Sequence, residues 1–523
     1  MVNSANPPVS MRFNKIKGRE AWRENIRLSR LVNNRIRSTL GPKGAYKMVT
    51  YNRGPEQVVK ISKDVQPILD EIGFQYPAVK FMAEAAKMQR EEDGDGVTQF
   101  TILLTSLLMK ADALLEIGVH PNIIAQGFNK ATMKAVDLVN QKSEYVGEKV
   151  YDQILDCVDG GRNLLSSGIR SSIIEATKIV LKDGKIDDSL LRMVKKFGGS
   201  TEETRLIKGI MIKTPEIYHG MPDSISHPSI ALISGKLGLD RLSVKMKGDG
   251  PPEVELRISD PKHLIGYLST ERELTQAAIR RIKEARVNVV LCQQPIEDQV
   301  KGELVRSEIF VLEKVDEKDL VVVSKATGAK IVSSPRELKE SDTGSANRLY
   351  VDRISPDEIV VIEGCNAATF LLRGSTSQAM DEVESLIKNA VKAIHIASKD
   401  CKVVPGGGAI ELHTSINLKE YARQFSSREQ LAIEYFAESL EEIPKILAEN
   451  AGQDPINAIT QLKNYHVTDS RYGIGLDGCS LMVCYESTKI KLDIYLRAND
   501  LASMMLRIDE LWISKEIVKV HKQ

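Results

Sequence analysis

Gly94-Asp95-Gly96-Val97-Thr98 stands immediately before a nearly all-apolar stretch that runs from about Thr98 to Ile117. Glycines let a backbone approach a ligand closely, and the free N–H groups at a helix start favour an anion. A carboxylate in the same place can hold the magnesium that accompanies a polyphosphate. The triplet by itself is also ordinary turn chemistry. Gly248-Asp249-Gly250 provides the contrast: it is followed by Pro251-Pro252, has no apolar helix behind it, and reads as a loop. Leu40-Gly41-Pro42-Lys43-Gly44 and Gly406-Gly407-Gly408 are two further glycine loops at the ends of helical patterns. They too can bring bare backbone against a phosphate or a base, although each taken singly is more often a cap or a turn. Neither has the GxxxxGK[ST] spacing, which disfavours a P-loop enzyme.

The elements that must hold these loops can be read from periodicity. From Arg19 to Thr39 apolar residues recur at helical spacing, so a helix runs into the Leu40–Gly44 loop. Val79–Met88 predicts a second amphipathic helix, followed by the acidic run Glu91-Glu92-Asp93 and then the buried helix that ends near Gly118. Helical texture continues to about Lys182. Between about Lys213 and Arg373 the texture changes to short β-branched runs: Ser229–Ser234, Asn288–Cys292, Leu320–Val323, Lys330–Val332 and Glu358–Ile362. A helical pattern over Glu271–Arg286 lies among them. Helices return over Ala379–Ser398, after Pro405-Gly406-Gly407-Gly408, and over Arg428–Asn450. The outer thirds resemble each other more than the middle, which predicts one helical domain built from both ends with an α/β domain inserted.

A chain of 523 residues is long enough for about three domains. With 42% apolar, 27% charged and 5% aromatic residues it reads as a globular protein with aliphatic cores, not a disordered one. Lys and Arg number 72 against 71 Asp and Glu, so no overall field draws the chain to nucleic acid or anionic lipid. The amino end lacks the apolar core of a secretion signal, and the apolar run Phe100–Leu115 is broken by Lys110 and Asp112; neither secretion nor membrane spanning is expected. The six scattered cysteines match no zinc or thiol-redox spacing and are read as reduced core residues.

Several of these motifs, in order and spacing, resemble group II chaperonins, the family of archaeal thermosome and eukaryotic cytosolic chaperonin subunits. The matching stretches are Leu40–Gly44, Ile61-Ser62-Lys63-Asp64, Gly94-Asp95-Gly96, Gly198-Gly199-Ser200, Asn288–Gln293, Leu371–Gly374, Val404–Ala409 and Met505–Asp509. Leu372–Thr376 and Ala448–Gly452 are similar to the theta-type eukaryotic subunit. The resemblance implies a multidomain α+β fold: a mostly α-helical equatorial ATP-binding domain (1–147 and 403–523), a small α/β intermediate hinge domain (148–214 and 372–402), and an inserted α/β apical domain (215–371) with a helical protrusion as built-in lid. It further implies a cytoplasmic complex in which identical or homologous subunits form a stacked double ring that encloses unfolded protein clients. ATP and Mg2+ would be the cofactors, with no role for nucleic acid or membrane.

Carried onto this sequence, the family pattern places Leu40, Gly41, Pro42, Gly94, Asp95, Gly96, Thr98, Gly407, Gly408 and Glu486 around the nucleotide. Asp95 would hold the metal, and Asp64 would order the attacking water. Three positions depart from the pattern. Val97 stands where a threonine normally follows Gly-Asp-Gly, and Asn389 where an aspartate is normally delivered to the water. Gly168 replaces the lysine that senses the terminal phosphate, with Arg170 two residues on. An amide cannot take a proton at neutral pH as a carboxylate can, so the resemblance implies an ATPase whose own hydrolysis is weakened. The lid surface would be carried by Leu264, Ile265, Tyr267 and Leu268. Two other classes stay open on the residues alone: a structural ring or filament component with a vestigial nucleotide site, and a small-molecule ATP-dependent enzyme whose insertion supplies a polar substrate cleft.

Overall fold

The structure is a computed structural model and describes residues 13–53, 56–73, 76–145, 151–159, 164–182, 185–214, 217–218, 220–237, 273, 276–354, 357–475 and 481–514. The expected lid residues Leu264, Ile265, Tyr267 and Leu268 and the Gly248-Asp249-Gly250 loop lie outside the described residues. The chain divides into two compact units, one made from residues 1–170 and 376–523, the other from 171–375. The first is therefore assembled from both ends of the sequence and the second is an insertion.

The first unit is a helical body. The Val97–Glu116 helix is apolar on nearly every face, from Phe100 and Leu103 to Leu107 and Leu108, the pattern of a helix surrounded by others. It is long and apolar enough to cross a membrane, but 67% of its apolar window is buried within the fold. Around it pack the helices Arg19–Ile36, Pro77–Asp93, Pro121–Lys142, Glu429–Asn450 and Thr488–Leu506. Phe128 and Phe436 meet edge to face, with ring centroids 5.9 Å apart, one of the geometries aromatic rings prefer. Strand Phe13–Lys17 pairs antiparallel with Glu510–Ser514, so two segments nearly the whole sequence apart close on each other. A three-stranded sheet sets Lys402–Pro405 between Tyr485–Ser487 and Glu144–Tyr145.

The second unit is α/β. Parallel strands Phe310–Leu312, Val289–Cys292, Ser229–Ile233 and Ile331–Val332 lie in that order, with Gly344–Ser345 antiparallel on Ser229–Ile233. Val289–Cys292 is buried at every position, as expected of a parallel strand covered on both faces. A four-stranded antiparallel sheet runs Ser224–Ser226, Arg348–Ile354, Asp357–Glu363, Gly209–Thr214. Leu191–Phe197 pairs in parallel with Ala368–Gly374, across almost the whole insertion.

One element corrects the sequence reading. Leu320–Val323 is not a strand but the middle of the Glu317–Thr327 helix. Glu317 and Asp319 in its first turn, Lys325 in its last and a left-handed Gly328 at its end are helix start and stop signals. They outweigh the strand preference of the three consecutive valines. The acidic run Glu91–Asp93 likewise belongs to the last turn of the Pro77–Asp93 helix.

Candidate functional site

A cleft of about 150 Å³ opens in the first unit. Its floor is the turn between two helices. Gly94 ends the Pro77–Asp93 helix in left-handed conformation (φ 71°) and donates to Arg90 O; Gly96, also left-handed (φ 82°), starts the next helix. Neither position tolerates a side chain. A methyl group at Gly94 would come within 2.5 Å of Lys392 Cβ and 3.1 Å of the Asn389 carbonyl oxygen, and one at Gly96 within 2.7 Å of Ile494. The turn is thus gripped between the Ser377–Asp400 and Thr488–Leu506 helices, and Lys392 Nζ fixes it further by donating to Glu91 O at 3.0 Å. Directly behind, Asp93 is fully buried with neither carboxylate oxygen hydrogen-bonded, and Arg497 approaches it at 3.5 Å. Burial, followed by the nearby Asp493, pushes its carboxyl up to about 7.

The second wall is the Leu40 loop. Asn450 Nδ2 donates to Arg37 O and Leu40 O, both at 2.9 Å, and Lys63 Nζ donates to Pro42 O at 3.1 Å. Asp64, next to Lys63, is oriented by Arg90 at 3.1 Å and accepts from Ser385 Oγ at 3.4 Å. Ser385 and Asn389 are one turn apart on the Ser377–Asp400 helix, so Asp64 and Asn389 reach the same cleft from different elements.

The third wall is the glycine run after Lys402–Pro405. Gly407 (φ 63°) lies so close to Ile474 that an added methyl would be 2.4 Å from its carbonyl oxygen. Its N–H donates to Glu486 Oε1 at 3.2 Å. Glu486 is held from behind by Lys491 at 2.8 Å and accepts from Gln99 Nε2 at 3.2 Å; Lys491 also donates to Gln99 Oε1 at 2.7 Å and pairs with Glu411. Lys491 and Glu411 are wholly excluded from solvent. Burial pulls the Lys491 ammonium down, but the two carboxylates outweigh it and hold the group above its ordinary value; burial pushes the Glu411 carboxyl up.

Of the residues expected from sequence, Leu40, Gly41, Pro42, Asp64, Gly94, Asp95, Gly96, Thr98, Asn389, Gly407 and Glu486 line this cleft, as does Val97. Gly408 is not on its wall; it is the left-handed start of the Ala409–Ala422 helix, packed against Pro444. Gly168 is also off the wall. Arg170 is not directed there either, since its guanidinium is bound to Leu165 O at 2.9 Å and to Asp156. Sequence reasoning gave no site role to Thr39, Lys63, Gln99, Cys157, Val158, Leu447, Ile474, Gly475 and Cys484, which complete the lining. It also missed Lys491, whose signal was a lone lysine among Ile490, Ile494, Tyr495 and Ala498 on one helix.

The reading of the cysteines is corrected too for the five among the described residues; Cys479 lies outside them. Cys292 and Cys365 are core residues, but Cys401 is exposed and Cys157 and Cys484 are half-buried in the cleft. A hydrogen bond with the Cys484 sulfur, ahead of burial, pushes the Cys157 thiol well above its ordinary value.

The chain is thus a multidomain protein whose glycine turns, one aspartate-bearing, converge at helix ends on one polar cleft. Residues 32–516 match the TCP-1/cpn60 chaperonin family. Over 521 residues the chain is 35% identical to the thermosome subunit of Pyrococcus horikoshii, covering 96% of this chain and 93% of that one. It is 33% identical over 521 residues to thermosome subunit alpha of Archaeoglobus fulgidus (96% and 93%). With the thermosome subunit of Methanopyrus kandleri the identity is 33% over 526 residues (97% and 94%). The chain belongs to the TCP-1/cpn60 chaperonin family, as a group II chaperonin subunit.

Proposed function

We propose that the chain binds Mg-ATP in this cleft and works as one subunit of a cytoplasmic, stacked double ring that encloses unfolded proteins and uses the nucleotide to drive closure. The observation that carries the reading is the convergence, in one cleft, of three glycine turns with Asp95, Asp64 and Glu486. The residues fit the group: the backbone at Gly94, Gly96 and Gly407 is bare and left-handed, as close approach to phosphate requires. Asp95 is the carboxylate to hold Mg2+, which supplies charge neutralisation at the phosphates. Thr98 donates to phosphate, Leu40, Gly41 and Pro42 cover the nucleotide, and Gly407 with Glu486 meets the base and ribose.

Asp64, oriented by Arg90 and Ser385, orders the water that attacks the terminal phosphate. Asn389 orients that water but takes no proton from it. With Val97 in place of a hydroxyl and no cation at Gly168, hydrolysis by this subunit is weak and binding is its main use of ATP. In this reading the three-domain division at 147/148, 214/215, 371/372 and 402/403 describes the moving parts, and the segment around Leu264–Leu268 forms the lid.

Two measurements test the proposal. Native mass spectrometry should give a closed assembly of two rings of about eight chains, closed symmetry being the rule for like subunits; an isolated monomer that stays monomeric with ATP would overturn it. Nucleotide titration should show Mg-dependent ATP binding, most of which is lost in Asp95→Asn, because the variant removes the charge that balances the cation. Unchanged Mg-ATP affinity in that variant would remove Asp95 from the metal site.

A further inference from the structure

Cys157 and Cys484 come from elements more than three hundred positions apart in sequence, yet both stand on the wall of the same cleft. Cys157 lies on the Tyr151–Asp159 helix, and its Sγ is 3.5 Å from Tyr485 O, the carbonyl next to Cys484. Cys484 points its sulfur at the glycine run: a methyl group on Gly407 would be 3.2 Å from Cys484 Sγ. The two thiols are therefore neighbours on one wall, and Cys484 is the leading influence on the Cys157 thiol. Both are half-buried on the wall of the cleft, unlike Cys292 and Cys365, which are buried in the core.

We propose that Cys157 and Cys484 are a reversible thiol-oxidation site, and that their disulfide narrows the cleft and lowers its affinity for nucleotide. The second clause rests on the reading of the cleft as a nucleotide site; the first does not. The oxidant is hydrogen peroxide. Cys484, facing the open cleft, attacks one peroxide oxygen; the O–O bond breaks, the departing oxygen leaves as water with the thiol proton, and Cys484 becomes a sulfenic acid. Cys157 sulfur then attacks Cys484 sulfur, the S–O bond breaks, and hydroxide takes the Cys157 proton and leaves as a second water. The two sulfurs give up two electrons in all, and the peroxide accepts them.

The geometric consequence follows from bond length. Two unbonded sulfurs must close to about 2.05 Å, which draws the Tyr151–Asp159 helix toward the strand carrying Glu486. Gly407 lies on the other side of Cys484, so the contraction falls where the bare backbone must meet the ligand. A nucleotide already seated there resists the contraction and shields both thiols.

The test begins with the full-length chain and needs no variant. The reduced protein is treated with hydrogen peroxide, its remaining thiols are alkylated, and it is digested without reductant. The expected product is a peptide pair joined at Cys157 and Cys484, two hydrogens lighter than the separate peptides, formed within one chain, slower with Mg-ATP present and reversed by dithiothreitol. Nucleotide affinity of the oxidised protein should fall several-fold and return on reduction. In Cys484→Ala, peroxide should give no joined peptide and no change in affinity relative to the same variant reduced. Alkylated Cys157 and Cys484 after a treatment that oxidises the exposed Cys401 would overturn the site. A joined peptide with unchanged affinity would overturn the control of binding. A reduced wild type that binds no nucleotide would instead refute the nucleotide reading, leaving the peptide result to judge the site.

Discussion

Lys491 carries an ammonium into a place with no solvent contact, where Glu411, Glu486 and Gln99 meet it. An isolated buried charge of this kind is costly, and removing one partner of a buried pair leaves the other uncompensated. Lys491→Met should therefore lower stability by about 3–5 kcal/mol, measured by denaturant unfolding. Adding Glu411→Gln should restore part of the loss, because Glu411 already has one buried oxygen without a hydrogen bond. If Lys491→Met unfolded like the wild type, the cluster would not be the anchor of Glu486. The catalytic slot gives a second prediction at this scale. If Asn389 lacks only the base function, Asn389→Asp should raise ATP turnover by roughly 10² to 10⁴, the range for a positioned general base. Val97 and Gly168 remain and hold the gain to the lower end. Fast wild-type turnover with no gain in the variant would assign water activation to another residue.

At the scale of elements, what the sequence revealed and what it hid divide along a physical line. The helices at the cleft were legible because each carries its own punctuation: the Arg19–Ile36 helix running into Gly41-Pro42, the buried helix starting at Gly96, and the Glu429–Asn450 helix ending before Gly452. The pairing of Leu191–Phe197 with Ala368–Gly374 was not legible. Such strand partners are chosen by tertiary contact, and this pair is separated by almost the whole insertion. The same holds in the site. Gly94, Asp95 and Gly407 announce themselves as motifs, whereas Gln99, Ile474 and Cys484 become wall residues only because distant elements fold together.

One prediction belongs to the Ala409–Ala422 helix. Burial, then Lys142 and the neighbouring His466, pull His413 down to about 4, and burial also lowers His466. Between the ordinary histidine value near 6.5 and about 4, the unfolded chain binds protons that the folded helix refuses. Stability is then fully present above that window and lost as pH falls through it. His413→Gln should shrink the drop in melting temperature between pH 7 and pH 5; an unchanged drop would place the acid sensitivity elsewhere.

For the whole molecule, the unit built from both ends of the sequence holds the cleft, and the inserted unit is a separate compact α/β body. The last prediction concerns the inserted segment between Asp260 and Arg272. In sequence, Asp260-Pro261 is a pair that can start a helix, and Leu264, Ile265, Tyr267 and Leu268 follow it as a dense apolar group before Glu271-Arg272-Glu273. Such a density of apolar residues in one segment calls for a partner surface. Two arrangements satisfy it: burial in the core of the inserted unit, or use as a lid that meets unfolded chains and, on closure, the neighbouring lids of the ring. They differ in what a polar substitution does. In a core, Leu264→Ser with Leu268→Ser removes buried side chains at about 2–5 kcal/mol each, and the melting temperature falls steeply. In a lid, melting temperature and ATP affinity stay close to wild type while capture of an unfolded client, or protection of the closed cage from protease, is reduced. The proposed function predicts the second pattern. A large loss of folded protein in the double variant would place the pair in the core and move the lid to another segment.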